Sequence, residues 1–204
     1  MQEPYYEKSN FKLYQANCLD VLAELPENSV DMIFADPPYF LSSGSFTCHN
    51  GQMVSVKKAD WDLSNGLKKN FEFQNEWIKS CKRVLKPNGT IWISGTYHSI
   101  YQCGFALQIN KFHILNDIAW FKPSAAPNLS CRFFTASHES LIWARKEKEA
   151  KHTFRYEKMR DWKDNYKKKF KCKYDRHHNI TNVSEVPIVY ERKQNDVKNR
   201  CHRK

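Results

Sequence analysis

The sequence contains no apolar run near the roughly 20 residues that cross a bilayer. The segment from Met1 to Tyr6 lacks the basic and apolar regions of a signal peptide. The seven cysteines, from Cys18 to Cys201, fall at no paired spacing. Such cysteines are typical of a reducing compartment in which thiols stay free. These absences predict a cytoplasmic protein that has no membrane association.

Glycine is scarce, and its distribution is one-sided. None of the six glycines lies beyond Gly104. A backbone that approaches a bound cofactor closely needs residues without a Cβ. Residues 105–204 therefore cannot contain a glycine-rich cofactor turn.

The net charge of +11 is also unevenly distributed. Residues 1–144 hold 13 basic and 13 acidic side chains, whereas residues 145–204 hold 20 and 9 and so carry the whole excess. A balanced body followed by a basic end is typical of a polyanion-binding protein. A solvated or disordered basic tail would have the same composition. We predict a globular region over residues 1–146 and a basic extension over residues 147–204.

Strand-like and helix-like patterns alternate through the first region. Strands are predicted at residues 11–15, 30–35, 90–95, 114–122 and 140–145, and helices at residues 18–25, 71–85 and near 99–109. This order predicts a largely parallel sheet with helices on its faces, and ligands bind such sheets at the carboxyl ends of strands. Asp36, Gly95 and Lys122 fall at such ends. Residues 40–62 show little periodicity and predict a long loop, either functional or disordered.

The strand at residues 30–35 runs directly into Asp36-Pro37-Pro38-Tyr39. The two prolines fix φ and donate no hydrogen bond, so the local carbonyls stay free and rigidly aimed. A carboxylate and a prolyl carbonyl form a pair of acceptors for an exocyclic amino group, and accepting both protons makes that nitrogen a nucleophile. Tyr39 offers a flat face for stacking a base taken out of a duplex. An ordinary Asp-Pro turn at a strand end is the alternative.

These residues resemble the amino-methyltransferases that modify adenine N6 or cytosine N4 in DNA with S-adenosylmethionine, whose catalytic motif is Asp-Pro-Pro-Tyr. The resemblance covers roughly residues 10–165. It includes residues 28–35 before the motif, Asp60-Trp61-Asp62, which resembles the element closing a mobile loop, and residues 85–90 before the next strand. The order of these segments is that of the permuted beta class. The sequences of the motif and of residues 128–132 are most similar to those of DpnA-type adenine methyltransferases, which recognise GATC.

The resemblance implies an α/β, Rossmann-like methyltransferase sheet that is incomplete at its C-terminal end. Segments 118–123 and 126–133 resemble the lining of a target-base pocket, and residues 137–145 the strand that follows. The implied catalytic residues are Asp36, Pro37, Pro38 and Tyr39. The implied DNA-binding residues are Lys122, Asn128, Ser130, Arg132 and His138. The alternative for any one of these side chains is that it is exposed to solvent and makes no contact with DNA.

The cofactor-binding half of the beta class includes a His-Pro-Thr-Gln-Lys-Pro-like segment and a glycine-rich turn. Because no glycine follows Gly104, that turn is absent from these 204 residues. We expect a truncated or out-of-frame product, or real divergence. The resemblance still implies three cofactor-binding residues in this sequence: Asn17, Cys18 and Asp36. Asn17 replaces an acidic residue near the cofactor adenine, and a plain helix N-cap is its alternative role.

The resemblance implies a site-specific DNA adenine-N6 methyltransferase of a restriction-modification system, acting on double- or single-stranded DNA beside a cognate restriction endonuclease. Two alternatives remain: an inactive DNA-binding remnant, and a cytosine-N4 methyltransferase. No metal is expected, because the cysteines and histidines near the C-terminal end fit no standard ligand spacing. Those residues are Cys172, His177, His178, Cys201 and His202.

Overall fold

A computed structural model describes residues 3–42, 44, 46–49, 52–55, 59–125, 130 and 132–159. The helices are α1 (Cys18–Glu24), α2 (Leu67–Val84) and α3 (Ile100–Ile109), with a 3-10 helix at Asp60–Asp62. The strands are β1 (Tyr6–Lys8), β2 (Phe11–Leu13), β3 (Val30–Ala35), β4 (Phe46–His49), β5 (Gln52–Ser55), β6 (Leu85–Gly95), β7 (His113–Phe121) and β8 (His138–Arg145).

The chain divides into two compact units. The first comprises Met1–Ser45, Val56–Trp120 and Glu139–His152, and the second comprises Phe46–Ser55, Phe121–His138 and Thr153–Lys204. The functional division predicted at residue 146 stays a prediction. None of the described helices combines the length and apolar character needed to cross a bilayer.

The first unit is built on a four-stranded sheet of order β3-β6-β8-β7. β3 is parallel to β6, but β8 is antiparallel to β6. The prediction of a largely parallel sheet was therefore right for the pair β3 and β6 but wrong for the pair β6 and β8. Two parallel neighbouring strands need a crossover connection, usually a helix. β8 follows β7 along the chain, and the described residues between these two strands contain no helix. The sheet is mixed, and the fold is α/β as predicted.

The core lies where α2 and α3 pack on one face of this sheet. Ile91 and Ile93 of β6 are fully buried, and Ile142 of β8 packs with them. The helical spacing of Trp77, Ile78, Cys81, Val84 and Leu85 predicted the buried face of α2, and all five are buried. Each large apolar side chain removed from water in this way stabilises the fold by about 1.5–3 kcal/mol.

The predicted loop over residues 40–62 was wrong in part, because it contains a β-hairpin. β4 and β5 pair antiparallel, from Phe46 opposite Ser55 to His49 opposite Gln52. The sequence carried a signal for this hairpin: Asn50-Gly51 lies between the two strands, and Asn-Gly is the preferred two-residue hairpin connection. The hairpin belongs to the second unit.

Candidate active site

The candidate site lies where β3 and β6 end side by side. The two strands are parallel, with Phe34 opposite Trp92 and Ala35 opposite Ile93. Continuing that register brings Asp36 beside Ser94. The carboxyl end of each strand therefore contributes one polar side chain to the same place, as the sequence predicted for Asp36.

Two hydroxyl groups fix the Asp36 carboxylate. The Ser94 Oγ donates to Asp36 Oδ1 at 2.5 Å, and the Tyr39 Oη donates to the same oxygen at 2.5 Å. Ser94 is almost fully buried, whereas Asp36 is exposed. Asp36 Oδ2 receives no hydrogen bond from the described part of the chain. One carboxylate oxygen is thus held by the protein while the other can accept from a ligand.

Tyr39 is half-buried, and its hydroxyl is suited to remain a donor. Burial, and next the hydrogen bond to Asp36, raise the pKa of the Tyr39 phenol well above its ordinary value. Near neutral pH the phenol is therefore protonated. Pro37 and Pro38, between the two side chains, are half-buried and fix the backbone that joins them.

Sequence reasoning missed two residues of this site. Ser94 lies within the strand predicted at residues 90–95, and its position beside Asp36 follows only from the parallel register of β3 and β6. Asp62 was assigned to a loop-closing element, but its side chain is fully buried against the residues that follow Tyr39. A signal for Ser94 existed, since a polar residue at the end of an apolar strand points to the ligand-binding end of the sheet.

Two of the three predicted cofactor-side residues, Asn17 and Cys18, lie at the start of α1. Asn17 is the N-cap of α1, and its side chain accepts a hydrogen bond from the Leu19 amide at 3.0 Å. The N-cap role of Asn17 is confirmed, and its cofactor contact stays a prediction. Cys18 is an exposed residue, but its thiol is partly buried. This desolvation is the main cause of the raised pKa of the Cys18 thiol. That thiol is therefore protonated near neutral pH.

Four predicted DNA-binding residues lie in the second unit. Ser130, Arg132 and His138 are exposed, and Lys122 is half-buried with its amide bonded to the Ser137 carbonyl at 2.7 Å. Asn128 lies outside the described residues.

Two exposed aromatic side chains follow Arg132 directly: Phe133 is 66% exposed and Phe134 is 68% exposed. A guanidinium beside exposed rings is a combination found on surfaces that bind nucleic-acid bases.

Among the described residues, no group of histidine, cysteine and acidic side chains could hold a metal ion. The five cysteines and histidines near the C-terminal end, which fit no standard metal-ligand spacing, lie outside the described residues.

Residues 30–204 match the DNA methylase family of N6 and N4 methyltransferases. The chain is 49% identical over 165 residues to the type II methyltransferase M2.LlaDCHI of Lactococcus lactis subsp. cremoris, covering 80% of this chain and 61% of the relative. It is 48% identical over 165 residues to the type II methyltransferase M2.DpnII of Streptococcus pneumoniae, covering 80% and 62%. The chain thus spans about three fifths of the length of these relatives.

Among solved structures, the PvuII DNA methyltransferase (cytosine-N4-specific) aligns with a TM-score of 0.52 at 18% identity. The alignment covers 71% of this chain and 52% of that one, so the similarity supports a shared fold over about half of the larger protein. The resemblance drawn from the motif residues is confirmed by the family match. This chain belongs to the DNA methylase family.

Proposed function

We propose that this chain supplies the target-base site of an S-adenosylmethionine-dependent DNA adenine-N6 methyltransferase. The observation that carries the proposal is the Asp36 carboxylate, with Oδ1 fixed by Ser94 and Tyr39 and Oδ2 open at an exposed strand end. An exocyclic amino group has two protons and needs two acceptors. Asp36 Oδ2 and the Pro37 carbonyl are the proposed pair.

The two acceptors would act on the amino group electronically. When both N–H groups donate, the nitrogen lone pair leaves conjugation with the ring and becomes a nucleophile. Because the carboxylate is already held by two hydroxyls, little reorganisation is needed as charge develops on the nitrogen. When bound, S-adenosylmethionine would supply the methyl group: the nitrogen would attack its methyl carbon as the carbon–sulfur bond breaks and S-adenosylhomocysteine leaves, and the amino proton would pass to a neighbouring acceptor or to water.

The cofactor-side residues proposed among the described residues, Asn17, Cys18 and Asp36, would contact only part of the cofactor. The Asn17 side-chain oxygen is already used by the Leu19 amide, and no glycine-rich turn follows Gly104. The chemistry assigned to this chain is therefore confined to the nucleotide.

A base inside a duplex cannot reach such a site, so the adenine must be flipped out, which costs a few kcal/mol. Stacking on the Tyr39 ring and the contacts to Asp36 would offset that cost. Contacts to DNA phosphates would come from Lys122, Arg132 and the basic residues 147–204. Contacts to base edges would come from Asn128, Ser130 and His138. The exposed Arg132 side chain next to the exposed Phe133 and Phe134 rings supports the role proposed for Arg132.

The restriction-modification setting, GATC recognition, double-stranded DNA and a cognate endonuclease belong to the same proposal. Their support is the similarity to relatives named type II methyltransferases. A cytoplasmic location is proposed from the free thiols of Cys18, Cys81 and Cys103.

The proposed reaction is tested by identifying the methylated nucleoside. The chain is incubated with GATC-containing duplex DNA and labelled S-adenosylmethionine at millimolar concentration, and the nucleosides are analysed by mass spectrometry. We expect N6-methyladenine, formed slowly. N4-methylcytosine would support the cytosine alternative, and the absence of both products would support the inactive remnant.

DNA affinity is expected to fall steeply with salt, because neutralising phosphates releases counterions. Residues 166–204 hold 12 basic and 4 acidic side chains, so they carry +8 of the net +11. Deleting residues 166–204 should therefore make the slope of log K against log salt clearly shallower, measured by fluorescence anisotropy. Arg132→Ala serves as a comparison that removes one charge. An unaltered slope after the deletion would show that these residues lie outside the DNA interface.

A further inference from the structure

One buried carboxylate holds the three residues that follow Tyr39. The Asp62 side chain is 0% exposed. Its Oδ1 accepts from the Phe40 amide at 2.8 Å, and its Oδ2 accepts from the Leu41 amide at 3.2 Å and from the Ser42 hydroxyl at 2.8 Å. The Ser42 amide also donates to the Asp62 carbonyl at 3.3 Å. The 3-10 helix is thereby tied to the end of the Asp-Pro-Pro-Tyr motif.

The backbone that Asp62 contacts has an unfavourable conformation. Phe40 has φ 58°, in the left-handed region that bulky residues avoid and that persists only when the surroundings impose it. Successive amides beside such a residue can form a concave anion site, and here the Phe40 and Leu41 amides both point at one carboxylate. A buried carboxylate in turn needs such donors, because an unpaired buried charge is costly. The left-handed turn and Asp62 therefore stabilise each other.

This turn bears directly on Tyr39. The Phe40 amide is joined to the Tyr39 carbonyl, so the orientation of that peptide influences where the Tyr39 side chain can reach. The Phe40 ring packs edge-on against Phe73 of α2, with ring centroids 6.4 Å apart. The turn is thus fixed on one side by Asp62 and on the other by α2, while the Tyr39 hydroxyl meets Asp36.

We propose that Asp62 is a positioning residue, which holds residues 40–42 in the left-handed turn and so keeps the Tyr39 hydroxyl on the Asp36 carboxylate. Asp62 is not a catalytic residue, because its side chain is fully buried and both of its oxygens accept from the protein. The catalytic meaning of this positioning rests on the proposed function. Its structural content can be tested without methyl transfer.

The first test compares Asp62→Asn with Asp60→Asn, an exposed aspartate on the same 3-10 helix. Amide hydrogen exchange is measured by NMR on the full chain. In Asp62→Asn we expect the Phe40 and Leu41 amides to exchange at least tenfold faster, while Ile93 in β6 is unchanged. Asp60→Asn should alter none of the three. Unchanged exchange at Phe40 and Leu41, or an equal acceleration at Ile93, would overturn the proposal.

A second readout follows Tyr39 itself. The ¹³Cζ resonance of Tyr39, assigned by its loss in Tyr39→Phe, reports the hydrogen bond of the phenol. We expect this resonance to move in Asp62→Asn and to stay in place in Asp60→Asn. If the amides are released but the Tyr39 resonance does not move, Asp62 is a structural residue only and the proposal fails.

The third test isolates the left-handed backbone. Phe40→Gly and Phe40→Ala both remove the ring, but only glycine adopts a positive φ without strain. The acceleration that Asp62→Asn causes at Leu41 should shrink at least threefold in the Phe40→Gly background and persist in Phe40→Ala. Equal acceleration in both backgrounds would contradict the proposal. If these exchange results hold while wild-type protein yields no methylated base, the proposed function fails and the positioning role stands.

Discussion

Replacing Asp36 by alanine is expected to lower methyl incorporation into DNA by about 10³-fold, a loss comparable with removal of a strong preorganised charge-stabilising group. In the proposed reaction the Asp36 carboxylate accepts from the amino group and so activates it, and alanine removes this acceptor. Incorporation is followed with labelled S-adenosylmethionine, and circular dichroism checks the fold. The fold should survive, because Asp36 is exposed and contributes nothing to the core.

Asp31→Ala is the matched control, because Asp31 lies on β3, the strand that leads into Asp36, and is also exposed. Its carboxylate pairs with Lys86 at 2.8 Å on the surface, and such pairs contribute at most about 1 kcal/mol. Asp31→Ala should therefore leave incorporation within about twofold of wild type, a change of well under 1 kcal/mol. Unchanged incorporation by Asp36→Ala would remove Asp36 from the catalytic assignment.

The 204-residue chain is expected to bind S-adenosylmethionine weakly, with a Kd no tighter than about 1 mM, or 4 kcal/mol of binding free energy. A cofactor carboxylate and adenosine are normally held by main-chain amides at a glycine-rich turn, and no glycine follows Gly104. Contacts near Asn17 and Asp36 would leave the methionine end of the ligand unheld, so they would offset only part of the ordering cost of binding.

Calorimetric titration measures this affinity directly, with full-length M2.DpnII as the comparison. Asn17→Ala should destabilise α1 by about 1 kcal/mol, because it removes the N-cap. Its effect on cofactor affinity should be smaller than this effect on stability. Micromolar binding at unit stoichiometry would contradict the expectation, and it would mean that residues outside the described ranges form the cofactor site.

Local patterns predicted much of the fold. β3 was predicted at the residues where it lies, and the spacing of Trp77, Ile78 and Cys81 gave the buried face of α2. These features depend on residues close in sequence. The direction of β8 depends on a pairing with β6 that joins Thr90 to Arg145. No periodicity encodes that pairing, so the mixed sheet was not predictable in this way.

The same distinction applies to the site. Asp36 and Tyr39 are three residues apart and were predicted from the motif. Ser94 contacts Asp36 from 58 residues away, and Asp62 contacts Phe40, the residue after the motif, from 22 residues away. Ser94 depends on the register of two parallel strands, and Asp62 on a left-handed turn at a phenylalanine, which propensity argues against. The residues that contact Asp36 and the turn after Tyr39 from distant positions were therefore the ones that local sequence patterns did not predict.

The most direct test of the central claim is whether Asp36 recognises the amino group of an extruded adenine. The affinity of the chain is measured for GATC duplexes in which the adenine is paired, unpaired, or replaced by unpaired purine, which lacks the amino group. We expect unpaired adenine to bind at least about tenfold tighter than paired adenine, because the cost of extrusion is removed. Unpaired purine shares that lower cost but lacks the amino group, so it should bind more weakly than unpaired adenine, and the Asp36→Ala variant should bind the two equally. Equal affinity for unpaired adenine and unpaired purine would contradict the account.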